Sequence, residues 1–168
     1  MVYKRKKTKL ITISIFIILI IILFTLAVAF VYYLFQIPIT TQGFIPMQVD
    51  RMMTIGNTAI VQLKAECSEI PIYISLSQAS AISEGRFNQT SFRPSTHDII
   101  VDILEGYGIM PIMVRVSKLE ENTYFGELVL QRWNHVLILD IRPSDAIAVA
   151  VRTNTPIYVN ESLVTKTC

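Results

Sequence analysis

The sequence lacks most of the short signatures that identify an enzyme at sight. It has no Cys-x-x-Cys pair, no His-Glu-x-x-His, no glycine-rich phosphate loop and no Gly-x-Ser-x-Gly elbow. Zinc ribbons, zinc hydrolases, P-loop enzymes and α/β-hydrolases therefore lose their usual marks. Histidine is scarce, with only His97 and His135 in 168 residues, so imidazole chemistry has two addresses at most. His135 follows Trp133-Asn134 in a turn-like stretch and reads as an exposed residue. The two cysteines, Cys67 and Cys168, permit one disulfide and no disulfide framework. The plain reading is a buried Cys67 and an unpaired Cys168.

Charge is missing altogether from residues 10–35, a run dominated by Ile, Leu, Phe, Val and Ala. As a helix this run is roughly 39 Å long, enough to cross a hydrocarbon core of ~30 Å with some tilt. It has no polar face of the kind a core helix carries. Lys4, Arg5, Lys6, Lys7 and Lys9 precede it, and no Lys or Arg follows until Arg51. That asymmetry predicts a single-pass membrane helix with a basic cytoplasmic N-terminus, residues 1–9, and an extracytoplasmic domain. Its contact through 10–35 is with membrane lipid. The rival is a cleaved signal peptide ending near Ala27-Val28-Ala29, but the apolar run continues beyond that point. Beyond residue 49 lie all 13 acidic residues and 10 of the 15 basic ones. The net charge there is 10 − 13 = −3, so the basic balance of the whole chain belongs to the N-terminus. A net acidic domain has no general attraction for nucleic acid and would need a local basic patch.

Residues 36–46 read as a linker, and 47–168 as one domain large enough to bury a core. Period-two or short apolar runs predict strands at 47–54, 58–65, 70–75, 109–118, 123–130 and 135–141, with a short one around Ile157-Val159. Gly56-Asn57 and Glu121-Asn122 supply turn chemistry between them. Helical patterns fall at 77–86, 96–107 and 144–152. The expected class is α+β, a mixed sheet with about three helices after the membrane helix. A weak internal repeat reads as a duplicated half-domain: a strand pair from Asn57-Thr58 leads into Ser77-Gln78-Ala79, and another from Asn122-Thr123 leads into Ser144-Asp145-Ala146. The methionines, Met47, Met52, Met53, Met110 and Met113, fall on strands and read as core filling.

Two polar clusters stand out. In Arg93-Pro94-Ser95-Thr96-His97-Asp98, Ser95 or Thr96 suits the cap of the following helix and Asp98 its first turn. Ile99, Ile100, Ile103, Leu104 and Tyr107 form the expected buried stripe of that helix. One reading is a capped helix with a solvated acidic face; the other makes His97 and Asp98 a general base or metal ligands beside a cleft. The second cluster is Asp140-Ile141-Arg142-Pro143-Ser144-Asp145-Ala146, with Arg152 a helix length on. Alternation places Asp140 and Arg142 on one strand face, and Ser144 with Asp145 suits capping of the helix. A strand-to-helix corner tied by an Arg–Asp bridge accounts for most of these residues.

Taken in order, the clusters resemble the bifunctional nuclease domain family. The resemblance rests on Arg93-Pro94-x-x-His97-Asp98, on Tyr124-Phe125-Gly126-Glu127-Leu128, on Asp140-Ile141-Arg142-Pro143-Ser144-Asp145-Ala146-Ile147-Ala148 and on Arg152-Thr153-x-x-Pro156-Ile157-Tyr158-Val159. Ile70-Pro71-Ile72-Tyr73-Ile74 followed by Gln78-Ala79-x-Ala81-Ile82 extends it, with Gln78 where the family carries a Glu. The resemblance implies a compact α+β domain that forms homo-oligomers and a nuclease activity on DNA and RNA. It implies site residues at Arg93, His97, Asp98, Asp140, Arg142, Ser144, Asp145 and Arg152. In a metal-assisted phosphodiester hydrolysis, Asp98, Asp140 and Asp145 would hold Mg²⁺ or Mn²⁺, His97 would activate water, and Arg142 or Arg152 would neutralise the phosphorane. The alternative is a non-catalytic, membrane-tethered binding or scaffold domain.

Overall fold

Apolar periodicity and turn residues place the chain's elements with little ambiguity. The computed structural model describes residues 2–34, 40–89 and 92–168, and in its first helix the side chains of 15–31 only. That helix, α1, runs Val2–Leu34 without a break. Every side chain described in it is exposed, around the whole circumference. Among the described residues, no helix is long and apolar enough to cross a membrane. Phe35, at the end of the expected span, and residues 36–39 of the expected linker lie outside the described residues.

A separate unit covers Ile39–Cys168. Its elements are β1 (Phe44–Ile55), β2 (Thr58–Ala65), β3 (Ser68–Ser75), α2 (Leu76–Arg86), α3 (Thr96–Gly106), β4 (Met110–Glu120), β5 (Thr123–Arg132), β6 (His135–Ile141), α4 (Pro143–Thr153), β7 (Ile157–Asn160), a 3₁₀ turn at Glu161–Leu163 and β8 (Thr165–Lys166). The class is the expected α+β with a mixed sheet. The linker expectation overreached: Phe44, Ile45 and Pro46 already pair with Asn160, Val159 and Tyr158 in the sheet. The hairpin turns sit where left-handed backbone is needed, at Gly56 (φ 59°) and at Glu121 and Asn122 (φ 47° and 60°). Two successive positive φ values match the twist of the strands they join.

The eight strands lie in the order β6-β5-β4-β7-β1-β2-β3-β8. All neighbours are antiparallel except β4 and β7. Two meanders, β1-β2-β3 and β4-β5-β6, thus flank the short β7, and each runs on into a helix, α2 or α4. One core unites them. Val61, Leu63, Ile70 and Ile72 from the first meander and Val114, Val116 and Leu128 from the second meet Ile82 of α2, Leu104 of α3 and the buried Ala146–Ala150 run of α4.

Three local expectations are corrected. Cys67 and Cys168 form a disulfide with Cα atoms 5.2 Å apart, and Cys67 is exposed. The pairing of Ser68 with Lys166 and Glu69 with Thr165 brings the two together across 101 residues, a proximity no local pattern signals. On α3, Leu104 is buried and Ile100 and Val101 pack on the core, but Ile99, Ile103 and Tyr107 are exposed, because the helix is covered on one side only. Met47 and Met113 do fill the core; Met53 and Met110 face solvent.

Candidate functional site

The site begins with two helix N-termini. Ser95 caps α3: its hydroxyl accepts from the Asp98 backbone N–H at 3.3 Å, and the Asp98 carboxylate accepts from the Ser95 N–H at 2.7 Å. This reciprocal box satisfies two otherwise orphaned donors, and it sets the helix start so that His97 lies in the first turn. At α4 the arrangement differs. Arg142 stands at the cap position without a side-chain cap bond, and Pro143 occupies the first turn, where its missing N–H costs nothing. Ser144, expected to cap, is buried instead, at 4% exposure.

Asp145 is left with both carboxylate oxygens free of capping duty. Oδ2 accepts from Arg142 Nε at 2.6 Å, and Oδ1 lies 3.3 Å from His97 Nε2. The His97 and Asp145 side chains are 15% and 19% exposed, while Arg142 is 73% exposed. With the imidazole N–H donated from Nε2 to the carboxylate, the neutral ring keeps its lone pair on Nδ1. The outer nitrogens of Arg142 have no partner among the described residues, so the guanidinium fork is free to meet an anionic oxygen pair. Arg93 lies exposed on the loop before α3.

Asp98 belongs to a different network. Its Oδ1 accepts from Arg152 Nε at 2.7 Å. That guanidinium, followed by the Ser95 backbone N–H, holds the Asp98 carboxyl at about 2, well below its usual value of 3.8. Arg152 is 8% exposed and donates further to the carbonyls of Ala81 (2.7 Å) and Ala148 (2.9 Å). Its Nε and Nη1 are bonded inside the protein, and its Nη2 faces Ser95 Oγ and Glu84 at 3.5 and 3.9 Å, so the fork points inward.

Asp140 is not brought to this corner. It sits opposite Glu127 in the β5–β6 ladder, while its neighbour Ile141 packs on the core and so marks the helix-covered face. Alternation puts Asp140 on the other face, with Glu127 and its ion-pair partner Arg115, whose Nη2 lies 2.5 Å from Glu127 Oε2. The Arg–Asp bridge of the corner therefore runs from Arg142 to Asp145, because the strand ends at Ile141 and Arg142 turns into the helix start.

Asp98, Asp140 and Asp145 thus do not form a three-carboxylate metal site. Both oxygens of Asp98 and of Asp145 are engaged, Asp140 lies across the sheet, and among the described residues no group of three His, Cys, Asp or Glu gathers around one point. Three grooves, of about 1060, 640 and 420 Å³, are lined by β1 and its surroundings and include none of His97, Asp98, Arg142 or Asp145.

Two glycines that carried no role in the sequence reading shape the corner. A Cβ on Gly126 would stand 2.7 Å from the Ile141 carbonyl oxygen and 3.0 Å from the Pro143 nitrogen. Its absence lets β5 pass directly under the turn that carries Arg142. A Cβ on Gly85 would stand 2.5 Å from Arg152 Nη1 and 2.8 Å from Val151 Cγ2. The available signal was a glycine inside a helix and another inside a strand, each a mark of close approach.

Residues 60–168 match the family model described as the bifunctional nuclease domain. Among relatives, Uncharacterized protein Rv1829 of Mycobacterium tuberculosis is 36% identical over 94 residues, 56% of each chain. Bifunctional nuclease 1 of Arabidopsis thaliana is 35% identical over 74 residues, 42% of this chain and 23% of the plant protein. Bifunctional nuclease 2 of Oryza sativa subsp. japonica is 35% identical over 74 residues, 42% of this chain and 23% of its own. The chain accordingly spans about half the length of the mycobacterial relative and about a quarter of the plant ones. On the strength of a family match covering most of its length, this chain belongs to the bifunctional nuclease domain family.

Proposed function

We propose that the protein is a membrane-tethered nuclease that hydrolyses phosphodiester bonds of DNA or RNA at the corner where α3 meets α4. One observation carries the reading: His97, Asp145 and Arg142, from segments 48 residues apart, converge on one partly exposed point. Asp145 orients the imidazole, and His97 Nδ1 takes a proton from the attacking water as its oxygen bonds to phosphorus. The phosphorus–oxygen bond to the leaving sugar breaks and that oxygen takes a proton from solvent, while the free nitrogens of Arg142 neutralise the phosphoryl oxygens as charge builds. Arg93 and Arg142 supply the local positive charge that an acidic domain needs to hold a polyanion. No step is routed through a metal, since the three expected carboxylates do not gather.

The tether rests on the uncharged run of residues 10–35, the exposure of its described side chains over 15–31 and the basic residues before it. The Cys67–Cys168 disulfide suits the oxidising side of a membrane. Recovery of the full chain in alkali-washed membranes, and its release by Ile18→Lys with Ile21→Lys, checks the tether.

The activity is tested by incubating the full chain with single-stranded DNA and RNA in Mg²⁺, Mn²⁺ or EDTA. Cleavage that falls about 10²–10⁴-fold in His97→Ala is expected. Cleavage unchanged in that variant removes the site. Strict dependence on a metal adds a cation to this reading, with Asp145 or Asp98 and the substrate phosphate as its first candidate ligands. A second reading, a non-catalytic binding domain, draws on the internal pairing of Asp98, Arg152 and Asp145; nucleic-acid binding without cleavage would select it.

A further inference from the structure

Arg152 joins three helices at one point. Its Nε donates to Asp98 on α3, and its Nη1 to Ala81 on α2 and to Ala148 on its own helix α4. Its Nη2 lies 3.5 Å from the cap oxygen Ser95 Oγ and 3.9 Å from Glu84 Oε2. The side chain is 8% exposed and reaches this point only because Gly85 has no Cβ. A buried guanidinium with its donors satisfied fixes its partners in angle as well as distance.

His97 and Asp98 are successive residues of the first turn of α3, and Asp145 and Arg152 belong to α4. The Arg152–Asp98 bond and the His97–Asp145 contact are therefore two rungs between the same pair of helices. The first is buried on the α4 side and charge-assisted at 2.7 Å; the second is longer, at 3.3 Å. The stiffer rung sets the spacing of the looser one.

We infer that Arg152 is a positioning residue, which, through Asp98, holds α3 against α4 so that His97 stays in register with Asp145. This deepens the nuclease reading and rests on it for its catalytic meaning, but the positioning itself is measurable without turnover. The low titration of Asp98 agrees with a clamp closed across the working pH range. The role differs from that of a phosphate ligand, which would need an unoccupied guanidinium face.

The test uses the full chain and its two histidines. His97 and His135 give two sets of ring signals by NMR, and His135, at the exposed start of β6, is the internal control. Arg152→Lys keeps the charge but loses the fork. Asp98→Asn weakens the bond from the exposed side, and Gly85→Ala crowds the Arg152 guanidinium while leaving every polar side chain of the network in place. In each variant the His97 signals are expected to move toward those of Asp145→Asn, with His135 unchanged. Where wild-type cleavage is measurable, kcat should fall about 10²-fold, the scale of a 1 Å misplacement, with KM nearly constant. His97 signals that stay in place in variants with intact circular dichroism overturn the proposal. A rise in KM at constant kcat overturns it too, since it would make Arg152 a substrate ligand. If the wild-type chain cuts nothing, the nuclease reading fails while the ring signals still decide the clamp.

Discussion

The two meanders of the domain end in the same local device and use it differently. In the first, Ser75 caps α2 through its hydroxyl and Gln78 at the third helical position returns the bond to the Ser75 N–H at 2.9 Å. In the second, the cap position holds Arg142 and the third position Asp145, and no side-chain cap bond forms. The first half closes its helix start upon itself. The second leaves a carboxylate at a helix N-terminus, where negative charge is favoured, and points it at a histidine from another segment. The difference teaches that the site occupies a structural cap whose hydrogen-bonding role has been given up. It also gives meaning to Gln78: a neutral residue suffices where the position only caps.

Exchanging the chemistry of these positions should separate function from stability. The largest effect is expected for Asp145→Asn, which loses the orienting charge: cleavage of single-stranded DNA should fall by about 10²-fold or more, whereas Gln78→Ala should leave the rate as it was. Next comes the disulfide, which ties the β2–β3 turn to β8 while β6, at the other end of the sheet, has no such tie. Reduction should lower unfolding free energy by about 2–4 kcal/mol in urea titrations, given the long loop it closes. Gly126→Ala should cost about 1–3 kcal/mol and disturb the Arg142 turn, visible as a lower melting temperature together with weaker cleavage. Ser75→Ala should cost about 1 kcal/mol in the same melts with no change in cleavage rate.

The smallest effect concerns acid. Asp98 titrates lower in the folded chain than in the unfolded one, so its bonds to Arg152 and Ser95 stabilise fully above pH about 3.8. That contribution fades as pH falls and is gone below about 2. Melts between pH 5 and pH 2 (~10³-fold in proton activity) should steepen in wild type and flatten in Asp98→Asn, while Gln78→Ala leaves their pH dependence unchanged.

The strands were legible because each carries its own apolar alternation, and the hairpins because Gly56 and Asn122 sit where positive φ is required. His97, Asp145 and Arg142 were legible as members of two clusters, but their meeting depends on how α3 packs on α4, which no single segment encodes. Asp140 misled for a physical reason. Alternation holds only while the chain remains a strand, and it stops one residue before Arg142. Arg152 read as a cation facing the substrate because helix periodicity does not reveal that a glycine on a neighbouring helix opens a slot that buries it. The disulfide and the exposed side of α3 were hidden in the same way, set by partners far along the chain.

The place of β7 has a consequence for how the chain comes into being. Residues Ile157–Asn160 lie between β4 and β1, so the strand that joins the meanders is made after both of them. While synthesis proceeds, two three-stranded sheets each present a bare inner edge, and only the arrival of this short keystone closes the gap. Such late, long-range pairing is slow and leaves sticky edges exposed in the meantime. A released chain cut before residue 157 should thus be prone to clump, whereas one that extends through residue 160 should hold both meanders in one sheet.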